Sequence, residues 1–201
     1  FGSIRKESDG CVGDVILDPT IEPFLIQHRL RNKPLLPVVV GLEALAEAAA
    51  SASGLRAVGF RNVRMLDGML FHSETPVIAQ ATTTLADGNT ADCRLTCDFR
   101  NRAGGLIQKD RPYLQATVEL AAAPHSSKPP LPHDTSNIPW TEFSYPDGGM
   151  VYHGPALRGV NATAFNEAGG WGRIAALPLA GLVGQSRVQG WTVPSCVLDA
   201  A

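Results

Sequence analysis

Residues 39–53 are the one stretch of this chain that reads as a long helix, and from there to residue 120 the pattern is strand after strand. Leu42, Leu45, Ala46 and Ala49 fall at helical spacing, and Gly54 is a stop signal. That face is apolar and small enough to pack closely, so the helix should be buried. Residues 57–63, 75–85, 90–100 and 112–120 are rich in β-branched or apolar side chains and separated by turn chemistry, with Asp87-Gly88 as the clearest hairpin signal. A buried helix followed by antiparallel strands implies an α+β fold in which the sheet covers the helix, although periodicity alone admits more than one such arrangement.

The stretch from Ala121 to Pro139 places Pro124, Pro129, Pro130, Pro132 and Pro139 among Ser, His and Asp. It cannot hold a regular helix or a central strand, so residues 123–139 read as a linker. Beyond it, residues 160–165 and 171–177 are strand candidates, followed by a loop with Gly181, Gly184 and Gly190. The expected organisation is a first unit over 1–122 and the start of a second over 140–201.

Two segments carry candidate chemistry. His28-Arg-Leu-Arg-Asn-Lys-Pro-Leu-Leu-Pro37 runs straight into the helix, and a histidine ending a loop there is a candidate general base. Near the other end, Val193-Pro-Ser-Cys-Val-Leu-Asp199 sets a carboxylate after a short apolar run. One imidazole and one carboxylate can form an acid/base pair. Between them lies His153-Gly-Pro-Ala-Leu-Arg-Gly-Val160, whose Gly-Pro pair fixes the backbone whatever precedes it. In this order the three segments resemble the motifs of the dehydratase domains of polyketide synthases and related multienzymes, HxxxGxxxxP, YGPAFxG and HPxxLD. Asn32 stands where the family has Gly, His153 and Leu157 where it has Tyr and Phe, and Val193 where it has His. Asn is the mildest replacement for Gly, because it enters left-handed backbone conformations most readily.

The resemblance implies a double hot-dog fold, two antiparallel sheets each wrapped around a central helix and set side by side. The active site would lie between the units, with His28 from the first and Asp199 from the second. Only Ala200 and Ala201 follow Asp199, so the second unit is expected to be truncated, with an uncovered groove that favours self-association. The implied reaction is dehydration of a 3-hydroxyacyl thioester to a 2-enoyl thioester. His28 would remove the proton beside the thioester carbonyl, as an imidazole with an ordinary pKa of roughly 6.5 is largely neutral near pH 7. Asp199 would protonate the departing hydroxyl, provided an apolar pocket formed by neighbours such as Val197 and Leu198 raises its pKa. Pro37, Val38, Val39, His153, Gly154 and Pro155 would line the substrate, with the Val38 and Val39 amides at the helix N-terminus facing the developing enolate.

That chemistry calls for neither a metal nor a redox cofactor. The substrate would arrive on the phosphopantetheine arm of an acyl carrier protein, within a synthase of several domains, and a homodimer is a further expectation. Arg29, Arg31 and Lys33 form a basic cluster that could meet an acidic carrier, although short charge runs are usually solvated faces. The same architecture also serves product-template cyclisation, double-bond isomerisation or a purely structural role in a megasynthase. The presence of both His28 and Asp199 argues against the last.

Composition is consistent with this. At 201 residues, 44% hydrophobic and 18% charged, the chain can bury a sizeable core. A net charge of −2 and a pI near 6.2 give no electrostatic footprint for nucleic acid. The most apolar run, Val38 to Leu45, is interrupted by Gly41 and Glu43 and is too short for a membrane span of roughly 20 residues. The N-terminus shows no signal-peptide core, and a cytoplasmic domain is expected. Cys93, Leu95 and Cys97 share one strand face, while Cys11 and Cys196 stand alone, so neither a zinc site nor a disulfide network is expected. His72, His125 and His133 sit in polar loop sequence and receive no role.

Overall fold

The computed structural model describes residues 2–101, 103–123, 138–146, 149–167, 169–183 and 190–199. Strands Ser3–Lys6 (β1) and Gly10–Leu17 (β2) lead into a short helix, Pro23–Gln27 (α1), and the hairpin His28–Leu30 (β3) and Lys33–Pro34 (β4). The long helix Val38–Ser53 (α2) precedes four strands, Arg56–Met65 (β5), Val77–Asp87 (β6), Thr90–Arg100 (β7) and Leu106–Ala121 (β8). Next come Thr141–Glu142 (β9), Val151–His153 (β10), a 3₁₀ turn at Pro155–Leu157, Val160–Asn166 (β11) and Gly169–Ile174 (β12). Single-turn helices Ala180–Val183 (α3) and Ser195–Leu198 (α4) complete the described part.

The first unit is a six-stranded antiparallel sheet, in the order β1-β2-β6-β7-β8-β5, packed against α2. Small side chains let it close tightly on the helix. Ala48 and Ala49 of α2 are fully buried, as are Ala79, Ala81 and Ala91 of the sheet. A Cβ on Gly41 would come within 2.8 Å of Leu114 Cδ2. Leu45 and Leu95 are buried in the same apolar cluster. The helix ends where expected: Gly54 is left-handed at φ 74° and its N–H donates to the Ala50 carbonyl at 2.8 Å. This is the hot-dog arrangement of helix and sheet that the motif order implied.

β7 spans the residues that the alternation marks, with Ala91, Cys93, Leu95 and Cys97 facing in and Asp92 and Arg94 facing out. All four cysteines are buried free thiols. β8 begins at Leu106, earlier than expected, because its first five residues form an exposed arm paired with the end of β7 and carry no hydrophobic alternation. β12 ends at Ile174 rather than 177. In the β6–β7 hairpin the loop residues are Gly88 and Asn89, and the Asp87 carboxylate accepts from the Asn89 N–H and the Thr90 hydroxyl at 2.9 Å each. β1 and β2 were not apparent in the sequence: β1 is four exposed residues ordered by pairing with β2, and in β2 Gly10, Gly13 and Asp14 break the pattern while pairing with β6 supplies the order.

The β3–β4 hairpin turns on Arg31 and Asn32, both left-handed at φ 48° and 66°. A two-residue hairpin loop with two positive φ angles matches strand twist and favours Asn or Gly, which accounts for Asn32 at the family's Gly position. A second sheet, in the order β10-β3-β4, ties this hairpin to the second unit, and a third, β12-β11-β9, lies wholly within that unit. The expected proline-rich linker falls almost entirely outside the described residues, as do Gly184, His125 and His133. Among the described residues no helix is long and apolar enough to cross a membrane.

Replacing Leu45, 0% exposed at the centre of the helix–sheet interface, with Ala should destabilise the domain by about 3 kcal/mol through the cavity it leaves. Chemical denaturation of the two proteins checks this.

Candidate active site

Backbone pairing brings the first two candidate residues together. β10 runs antiparallel to β3 with His153 directly opposite His28, and the two rings meet edge to face with centroids 5.3 Å apart. His28 is 8% exposed, and its Nδ1 lies 2.8 Å from the Leu35 carbonyl. A carbonyl only accepts, so Nδ1 carries the hydrogen, and in the neutral ring the lone pair is on Nε2. That is the tautomer a general base requires.

Asp199 caps the C-terminal end of α4, with its N–H donating to the Ser195 carbonyl at 2.9 Å. Its side chain is 10% exposed, with Oδ2 3.8 Å from His153 Nε2. Oδ2 is buried and accepts no hydrogen bond among the described residues. Burial pushes the Asp199 carboxyl above the usual carboxylate range, while His28 and His153 pull it back. Burial also pushes His153 below the ordinary imidazole value; Asp199 opposes this, and His28 and Arg158 add to it. Both directions favour a neutral imidazole beside a protonated carboxyl. Arg158 donates from Nε to the His153 carbonyl at 2.7 Å, and Tyr145 stands 5.8 Å from the His153 ring.

The structure thus gathers His28, His153 and Asp199 from β3, β10 and the end of α4. Pro37 is buried at the N-terminus of α2, and its carbonyl accepts from Val40 and Gly41 at 3.1 and 3.2 Å. Val38 and Val39 are the first helical residues, whose amides have no acceptor within the helix. Gly154 N–H donates to the Gln27 carbonyl at 2.6 Å, and a Cβ there would meet the Gln27 side chain at 2.6 Å. Pro155 is exposed and starts the 3₁₀ turn, so it shapes the segment from outside. Arg29 and Lys33 are partly engaged, Arg29 Nε with the Ile26 carbonyl at 2.9 Å and Lys33 Nζ with His72 Nδ1 at 3.2 Å.

Two residues that sequence reasoning missed hold the halves together. Gln27 donates from Nε2 to the Gly181 carbonyl at 2.8 Å and accepts from the Ala156 N–H at 2.9 Å. Nothing in the sequence singles it out. Glu43, on α2 and 3% exposed, accepts from the Thr192 and Val193 N–H groups at 2.7 and 2.5 Å. Its signal was available: an acid between Leu42 and Leu45, inside an apolar helical run. Burial pushes the Glu43 carboxyl up to about 7, against the two amides that stabilise its charge. An open cleft of about 760 Å³ lies elsewhere and is lined by residues such as Phe71, His72, Phe99 and Tyr113.

No family model matches this chain, and no curated protein matches it. Solved structures do. The dehydratase domain from the CurF module of the curacin polyketide synthase superposes with a TM-score of 0.72 at 14% identity, covering 99% of this chain and 72% of that one. A dehydratase structure concerned with substrate selection in the borrelidin and fluvirucin polyketide synthases gives 0.61 at 17%, covering 95% and 65%. A bifunctional dehydratase-cyclase domain in ambruticin biosynthesis gives 0.63 at 21%, covering 98% and 67%. The chain therefore has the double hot-dog fold of polyketide synthase dehydratase domains, and it spans 65% to 72% of the length of these chains.

An acid whose pKa is higher folded than unfolded holds its proton more firmly in the native state, so its contribution to stability is present at low pH and lost as pH rises. For Glu43 the window runs from its ordinary 4.5 to about 7. Across that window the wild-type melting temperature should fall relative to that of Glu43→Gln, with parallel thermal melts at each pH as the measurement.

Proposed function

We propose that this chain catalyses, as part of a polyketide synthase, the dehydration of a 3-hydroxyacyl thioester to a 2-enoyl thioester. The observation that carries this reading is the row His28, His153 and Asp199, with the two rings edge to face at 5.3 Å and the buried Asp199 carboxyl 3.8 Å from His153 Nε2, in a dehydratase-type fold. His28 Nε2 takes the C2 proton, the electrons of that C–H bond form the C2=C3 double bond, and the C3–O bond breaks. Asp199 gives its proton to the leaving hydroxyl, which departs as water. The first amides of α2, Val38 and Val39, would receive the charge developing on the thioester oxygen. Pro37, Gly154 and Pro155 would set the backbone around the acyl chain.

The substrate is proposed to arrive on the phosphopantetheine arm of an acyl carrier protein. Arg29, Arg31 and Lys33 lie on the hairpin that carries His28, a suitable approach for an acidic carrier. Likeness to a dehydratase-cyclase favours one second reading, in which the enoyl product is closed into a ring in the same site.

The test is mass spectrometry of a 3-hydroxyacyl carrier protein incubated with the protein. Loss of water is expected for the wild type and a fall of at least about 10³-fold for His28→Ala and Asp199→Asn, with folding retained. Unchanged turnover in either variant would remove that residue from its role.

His153 offers a separate check. Its imidazole pulls the Asp199 carboxyl down, so His153→Phe should let Asp199 keep its proton to higher pH. The alkaline limb of the kcat profile should move upward in that variant, and an unmoved limb would count against Asp199 as the acid.

A further inference from the structure

His28 and Asp199 are both referenced to the same helix, by different routes. His28 Nδ1 is fixed on the Leu35 carbonyl, two residues before Pro37 at the N-terminus of α2. Asp199 is tied to the middle of α2 by a chain of hydrogen bonds that begins at Glu43. The Glu43 carboxylate accepts from the Val193 N–H at 2.5 Å, the Val193 carbonyl accepts from the Ser195 N–H at 2.7 Å, and the Ser195 carbonyl accepts from the Asp199 N–H at 2.9 Å. The Ser195 hydroxyl also donates to the Val193 carbonyl at 3.3 Å and accepts from Trp191 Nε1 at 2.9 Å, which stiffens the turn from the side.

A carboxylate placed there is costly. A buried charge is retained against its desolvation only where specific partners hold it. Glu43 has two such partners, both backbone amides of the turn leading into α4 and both from the other unit. A leucine at this position would fit the apolar cluster around Leu42 and Leu45 but could not grip a backbone.

We propose that Glu43 is the positioning residue for Asp199: its carboxylate grips the Thr192–Val193 turn from the first unit's central helix and thereby sets where the Asp199 carboxyl stands beside His153. The role rests on the dehydratase reading only for its consequence in turnover. The grip itself is independent of it.

Two variants and two readouts test the proposal. Glu43→Gln keeps the shape but offers one acceptor oxygen in place of two, and Glu43→Ala offers none. Hydrogen exchange at the Thr192 and Val193 amides, followed by NMR, should accelerate at least about 10-fold in Glu43→Ala and at one of the two amides in Glu43→Gln. With a 3-hydroxyacyl thioester, kcat should fall about 10- to 100-fold in both while KM stays within about twofold, as for an acid held in the wrong place. Glu43→Gln should melt no lower than wild type at pH 7, which separates misplacement of Asp199 from general loosening. Amides as protected in both variants as in wild type would overturn the proposal, and so would accelerated exchange with unchanged kcat. Accelerated exchange in a protein whose wild type releases no water would uphold the grip and overturn the dehydratase reading alone.

Discussion

The antiparallel pairing of β10 with β3 is the contact on which the rest of the site depends. Three residues of the second unit add a strand to a hairpin of the first, and the register places His153 across from His28. The hairpin can accept that strand because its own turn is tight, with Arg31 and Asn32 both left-handed. Around it, Gln27 and Glu43 reach from the first unit to carbonyls and amides of the second, at Gly181, Ala156, Thr192 and Val193. The junction between the units therefore combines strand pairing and side-chain-to-backbone hydrogen bonds with apolar contacts, as Leu157, Leu182, Val183 and Cys196 join the first unit's core cluster.

The same junction buries the Asp199 carboxyl and part of the His153 ring, and that burial shifts their proton affinities. A carboxyl taken from water loses the solvation that favours its charge, and an imidazole so placed loses the solvation that favours its proton. Asp199 and His153 are pushed in opposite senses by this one cause. In an exposed cleft the same pair would exchange its proton the other way, leaving a carboxylate unable to donate. The position of Asp199 beside a buried turn decides its proton affinity as much as its identity does.

Much of this was legible in the chain. The central helix and the strands of the first sheet follow from the spacing of Leu42, Leu45, Ala46 and Ala49 and from the alternation of Cys93, Leu95 and Cys97, because burial on one face imposes those periods. His28, His153 and Asp199 stood out by their motifs, and Asn32 by its tolerance of the left-handed region. Gln27 was not legible, since a glutamine that bonds only backbone leaves no mark in composition or spacing. Glu43 left a mark that was read merely as an interruption of an apolar run. β2 was missed because glycines and an aspartate sit where alternation would be sought, and its order comes from pairing with β6, while β1 is exposed and ordered only by pairing with β2.

The sequence by itself determined the local elements and the residue types available for acid–base work, since helical and strand periods are properties of neighbouring residues. Only the tertiary structure decided that a histidine from β10 stands between the other two candidates, that Asp199 is dry, and that a glutamate from the first unit holds the turn leading to it. These are relations between residues far apart in the chain. They arise from strand register and burial, which exist only once the two units have packed.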